Sequence, residues 1–420
     1  MEFVERDEAF QAVPAGARVV AGNCCGTPLT LLAALAEHAE RVGSIELRAG
    51  LMLGDPPIED AIRSGSIVLR SWHVHGRLRR LAREGVIDYL PIRLSALAGS
   101  VLADSDVALV RLGAPDAHGF CSLGPSATFT QAAIDAAALV LAEVSDDVPR
   151  TRGDSLVHVS RIDRLIRAET PMPGYDAVTP DERSRAVAEH VATILPYAAT
   201  LQLGIGSVPE ALAESLASRA ADLQLGLIGL VSEPMIPLVE AISAAGRGPV
   251  RAVELMGGPA LMAWAHDNPA VELHSSRTIH NPLELAGIPS LISVNGAVAV
   301  DLRGQVVSES VGGSVISGVG GSADFAEGAY LSPGGLRVIA LRSTTKDGAS
   351  CIVARHDPRD TITVAHHAVD AVVTEHGIAH LRGRTRRERA RALASIAAPE
   401  HGDALLADLD TGATREWTPA

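Results

Sequence analysis

The chain has 420 residues, 47% of them hydrophobic, enough for two α/β domains with real cores. Its formal charge of −14 argues against a broad nucleic-acid footprint, although local Arg clusters could still meet an anionic ligand. No apolar run reaches the roughly 18 residues of a membrane span, and the charged start MEFVERDEAFQAV has no signal-peptide core, so a cytoplasmic protein without a membrane partner is expected.

In chain order, ARVVAGN reads as a strand, PLTLLAALAEHAERV as a helix and SIELRAGLML as a second strand. DVALVRLGAP and ALVLAEVS continue the strands, with TQAAIDAAA helical between them. Such alternation predicts a mostly parallel sheet with crossover helices. RLIRAETPMPGYDAVTPDERS, rich in Pro and polar residues, reads as a linker between residues 1–180 and 181–420. Beyond it come an amphipathic helix, DERSRAVAEHVATIL, and two strands, LQLGIG and LQLGLIGLVSE. VVAGNCCGTPLTLLAAL and LQLGIGSVPEALAESL share one pattern of strand, glycine turn, Pro and helix, so the halves are expected to share a topology. Pro28 and Pro209 suit a first helical turn, where a missing N–H costs nothing. TEHGIAHLRGRTRRERARALASIA starts at a strand end and continues into an Arg-rich helix.

Cys24, Cys25, Cys121 and Cys351 follow no metal-ligand spacing and read as reduced thiols. His73 and His75 could face one side of a strand, and His366 and His367 are adjacent. No carboxylate stands at a diagnostic offset from either pair, so no metal is expected.

Three segments can carry chemistry. Gly204 and Gly206 form a G-x-G turn after a strand, but Pro209 replaces the third glycine of a dinucleotide fingerprint. The turn reads equally as an anion cradle or as a plain βα turn. In SVGGSVISGVGGSADFAEGAY, Gly318, Gly320 and Gly321 permit close approach of backbone to a ligand, while Val315, Ile316 and Val319 set the segment apart from a mere linker. Glu233 closes the apolar run LQLGLIGLVSE. A carboxylate at a buried strand end is a candidate nucleophile; the plain alternative is Ser232 as a helix cap with Glu233 in the first turn.

Taken together the chain resembles the acetyl-CoA hydrolase/transferase family of class I CoA-transferases. The stretches that carry the resemblance are PDAHGFCSLGPS (115–126), RTRGDSLVHVS (150–160), QLGIGSVPEAL (202–212), DNPAVEL (267–273), SVNGAVAVDLRGQVVSES (293–310), GVGGSADFAEGAYLSPGGLRVIALRST (318–344) and VTEHGIAHLRGRTRRERARALASIAAPEHGDAL (373–405). The resemblance implies two open α/β domains facing across a cleft and a homodimer. It implies acyl-CoA and a small carboxylic acid as substrates, with no permanently bound cofactor. It passes the nucleophile's role to Glu233, the G-x-G-x-x-P turn to Gly204, Gly206 and Pro209, and the CoA and oxyanion loop to Gly318, Gly320 and Gly321. The chain departs from the family beside the nucleophile. Val231 stands where His is usual, Pro234 replaces Met, and the spacing to Leu238-Val239-Glu240 is about four residues short, which makes Glu240 the nearest substitute acid. CoA transfer is the leading reading. Acyl-CoA hydrolysis by the same Glu, a divergent CoA-binding homologue, and a nicotinamide-dependent dehydrogenase are the alternatives.

Overall fold

Short runs of Val, Ile and Leu bounded by glycine form strands buried on both faces, as parallel sheets require. The computed structural model describes residues 3–410, and among these the first half builds a seven-stranded sheet. Its order is Arg164–Arg167, Leu139–Val144, Val107–Leu112, Arg18–Ala21, Ile45–Ala49, Ile67–Ser71 and Asp88–Tyr89, and every pairing is parallel. The chain enters at the central strand Arg18–Ala21, runs to one edge, then returns to fill the other side. The strand order therefore reverses between Arg18–Ala21 and Val107–Leu112, the kind of switch point where open α/β sheets bind ligands.

The second sheet repeats this plan. Thr200–Leu203 is the entry strand. Gly226–Ser232, Val250–Met256 and Val271–Leu273 extend one side; Leu291–Asn295, Leu336–Ala340 and Ala371–Thr374 extend the other. Gly377–His380 adds an antiparallel edge between the strand end and the Arg-rich helix expected there. The echo between VVAGNCCGTP and LQLGIGSVP thus marks equivalent positions, the carboxyl ends of the two entry strands. Leu29–Val42 and Ser207–Ala217 are the matching helices, and each buries a leucine-rich face.

Segments cross between the halves, two of them onto the strands of the second sheet. Arg152–Gly153 pairs with Val271–Leu273 at the far edge of the second sheet. Gly153 has φ +92°, and a Cβ there would stand 2.4 Å from the Leu273 carbonyl oxygen, so only glycine fits. Residues 125–127 lie along Val250–Met256 where Val271–Leu273 no longer flanks it: Leu255 N–H donates to the Pro125 carbonyl at 2.8 Å and Ala127 N–H to that of Val253 at 3.0 Å. The stretch read as a linker also opens with an ordered strand, Arg164–Arg167, at the edge of the first sheet. Cys24, Cys25, Leu53 and Ala127 belong to the same apolar core as Leu203, Val231, Leu255 and Met262, so the halves share buried surface. No helix of the described residues is long and apolar enough to cross a membrane.

Candidate active site at the facing strand ends

Glu233 follows the last residue of Gly226–Ser232 and begins a tight turn, Glu233–Met235. A bulge at Gly229/Leu230 shifts the register of this strand against Val250–Met256, and Gly229 has φ +119°. Such a bulge re-aims the residues after it. Ser232 does not cap the turn; its hydroxyl is buried without a partner among the described residues. Glu233 is half-buried, and its Oε2 accepts the Gly258 N–H at 2.9 Å. Among the described residues Oε1 accepts no hydrogen bond, which leaves one oxygen for chemistry. Prolines do not wall the group off: Pro234 continues the turn and is itself only partly buried.

Gly257 and Gly258 were missed from sequence. They end Val250–Met256 and lead into the helix Pro259–Ala265, so ELMGGPALM is a third strand–glycine–Pro–helix signature, legible had it been set beside the other two. A Cβ on Gly257 would meet Leu261 at 2.7 Å and the Glu233 Cβ at 3.0 Å. The backbone must therefore be bare for the carboxylate to lie against it.

Gly204, Gly206 and Pro209 stand beside this turn. Thr200–Leu203 neighbours Gly226–Ser232 in parallel, and the helix Ser207–Ala217 packs on the Glu233–Met235 turn. Gly206 takes φ +122°, and Pro209 lies in the helix's first turn. Glu210, next to Pro209, is 1% exposed and neither oxygen finds a partner of good geometry. Burial pushes it up to about 7, against the pull of the Gly206 and Val178 backbone.

Gly318, Gly320 and Gly321 occupy a different wall. A Cβ on Gly318 would fall 2.2 Å from the Trp72 carbonyl oxygen, and one on Gly321 would fall 2.2 Å from His280 Nε2. Val74 N–H donates to the Ser317 carbonyl at 3.0 Å. Gly318 thus serves close approach to the first half, and Gly321 close approach to His280 of the second half itself. Beside it lies a cavity of about 360 Å³, lined by Asn295, Gly296, Gly318, Val319, Arg79 and Arg337 among others. Gly320, at φ +57°, has open space on its Cβ side.

Glu240 is exposed on its helix and accepts from Trp264 Nε1 at 3.0 Å. Met256 and Met262 are core residues, although Met262 also lines a cavity of about 530 Å³ that Gly257 and Gly258 share. His73 and His75 follow the end of Ile67–Ser71 rather than sitting on it, and burial pushes His73 down to about 4. Among the described residues no cluster of His, Cys, Asp and Glu could hold a metal.

Models described as the acetyl-CoA hydrolase/transferase N-terminal and C-terminal domains match residues 1–173 and 257–409. Glu233 falls in the interval between them. The 4-hydroxybutyrate coenzyme A transferase of Clostridium kluyveri is 34% identical over 96% of each chain. The butyryl-CoA:acetate CoA-transferase of Anaerostipes caccae is 33% identical over 96% of this chain and 95% of its own. The crystal structure of RipA from Yersinia pestis superposes with a TM-score of 0.89 over 98% of this chain and 97% of that one; at 24% identity it bears on the fold alone.

Proposed function

The chain belongs to the acetyl-CoA hydrolase/transferase family and is an enzyme of the CoA-transferase type, and from that premise we propose that it moves CoA between an acyl-CoA and a free carboxylic acid through covalent intermediates on Glu233. The observation that carries this reading is the Glu233 carboxylate at a strand end, with Oε2 held by a backbone N–H and Oε1 free among the described residues. Oε1 attacks the thioester carbonyl, the C–S bond breaks, and CoA leaves as thiolate. The thiolate then attacks Cδ of the resulting anhydride, giving a glutamyl-CoA thioester and releasing the first acid. An incoming carboxylate attacks the same Cδ and expels the thiolate, which takes the new acyl group and restores Glu233. Splitting one exchange into four reversible steps is the use of a covalent intermediate.

Backbone N–H groups of the Gly204–Gly206 and Gly318–Gly321 turns supply the donors for each tetrahedral oxyanion, and Pro209 fixes the first of these turns at its helix. CoA enters as substrate, and the scheme calls for no resident cofactor. Residues 1–180 and 181–420 form the two walls of the cleft, and the molecule works as a homodimer in the cytoplasm. Incubation with acyl-CoA followed by borohydride, then peptide mass spectrometry, is expected to find reduced Glu233. Glu233→Gln is expected to lose at least about a thousandfold in exchange rate, in line with removal of a covalent nucleophile. Unmodified Glu233 in turning-over enzyme would rule the scheme out. Acceptor-independent release of CoA, followed with and without acetate, would assign hydrolysis to the same residue.

A further inference from the structure

Glu254 is a second acid that the reaction scheme leaves unused. It sits on Val250–Met256, is 6% exposed, and lies where the two halves meet. Three side chains of the first half converge on its Oε1. Asn23 Nδ2 donates at 3.2 Å, the Ser126 hydroxyl lies 2.9 Å away, and the Thr128 hydroxyl donates as well. The same Ser126 hydroxyl lies 2.9 Å from Asn23 Oδ1, so the group closes on itself. The other oxygen of Glu254 is buried without a partner of good geometry among the described residues.

Both ends of this network lead to the nucleophile. On one side Asn23 begins the turn that continues through Cys25, whose thiol donates to the Gly257 carbonyl at 3.7 Å. On the other, Glu254 is three residues before Gly257 and four before Gly258, whose N–H holds Glu233. Residues 125–127 run beside the intervening strand and fix its position. A Cβ on Gly26 would stand 2.8 Å from Ser126 Cβ, so the turn and this segment are in close contact.

We infer that Glu254 is a positioning residue for Glu233: by gathering Asn23, Ser126 and Thr128 it sets the Met256–Gly258 backbone, and through the Gly258 N–H it sets the carboxylate. The inference rests on Glu233 being the nucleophile. Burial pushes Glu254 up to about 8, so near neutral pH it acts as a hydrogen-bonding carboxyl rather than as a second negative charge. Burial, with the nearby Glu254 adding to it, drives the Cys24 thiol well upward as well, and burial raises that of Cys25 to about 12. An amide can keep the oxygen that accepts the three donors.

The test compares Glu254→Ala, Glu254→Gln and Asn23→Ala in the full-length enzyme, with kcat and acyl-CoA KM measured separately and glutamyl-CoA trapped by borohydride. Glu254→Ala is expected to lower kcat by about thirtyfold with KM held within about threefold, as for a small misplacement of reacting groups. Glu254→Gln is expected to restore at least about half of the wild-type kcat, and Asn23→Ala to fall between them. If Glu254→Ala does not fold, Asn23→Ala and Glu254→Gln still decide. Wild-type kcat in Asn23→Ala, or a folded Glu254→Gln as slow as an alanine variant, would overturn the inference. Glu233→Gln run beside them separates the two readings: if it still exchanges CoA, the nucleophile assignment fails whatever Glu254 does.

Discussion

At Gly257 a single missing methyl group decides where the Glu233 carboxylate lies. A Cβ there would be 2.7 Å from Leu261 and 3.0 Å from Glu233, whereas one on Gly258 would meet Glu233 Oε2 at an ordinary 3.6 Å. Gly257→Ala is therefore expected to lower kcat by about ten- to a hundredfold, since ångström-scale misplacement of reacting groups costs that much. Gly258→Ala should cost far less; equal losses in steady-state assays would refute the contact argument. Glu254 makes a second prediction at this scale. Its folded carboxyl titrates near 8, against an ordinary value of 4.5, because burial disfavours the charge. The unfolded chain then gives up its proton first as pH rises, so the folded state loses stability between about pH 4.5 and 8. Glu254→Gln removes that dependence. Melting curves should show the variant gaining on wild type above pH 8 and the gap closing below pH 5. A gap independent of pH would mean that the group is ionised throughout.

The elements around the site act through their ends. Gly226–Ser232 carries the bulge at Gly229, where φ is +119° and a Cβ would press on Phe325 at 3.3 Å. Gly229→Ala should destabilise the protein by about 1–3 kcal/mol, the usual cost of forcing a side chain into that backbone region. It should also slow exchange, because the bulge aims the strand's last residues. Denaturant titration beside rate measurement checks both, and a loss of stability with full kcat would free the bulge from any part in aiming Glu233. The strand itself was plain in LQLGLIGLVSE, since an apolar run ending in one acid leaves little choice. Its bulge was not, because Gly229 and Gly226 look alike until a neighbouring strand and Phe325 are placed against them. Gly318 and Gly321 make the same point. Their number signalled close approach, but only the fold names Trp72, His73 and His280 as what they approach.

On the scale of the whole molecule, the halves are stitched rather than merely facing. Arg152–Gly153 completes the second sheet, residues 125–127 flank Val250–Met256, and one apolar core draws on both halves. Calorimetry should therefore show one cooperative transition rather than two. Residues 1–173 alone should expose the apolar surface around Cys24, Cys25 and Ala127 and aggregate. Two well-separated transitions would contradict this account.

Local order sufficed for what neighbours along the chain decide: the alternating strands and helices, the glycine turns with Pro28 and Pro209, and a carboxylate at the close of Gly226–Ser232. These depend on periodicity and on backbone freedom, which a few adjacent residues set. Tertiary structure decided what distance along the chain conceals. Gly258 lies 25 residues from Glu233, and Asn23 lies 231 from Glu254, yet each pair shares a hydrogen bond. The first contact arises because two neighbouring strands of one sheet end side by side, the second because two sheets with the same strand plan bring their carboxyl ends together. No pattern of hydrophobicity records which turn of one sheet will meet which strand of the other.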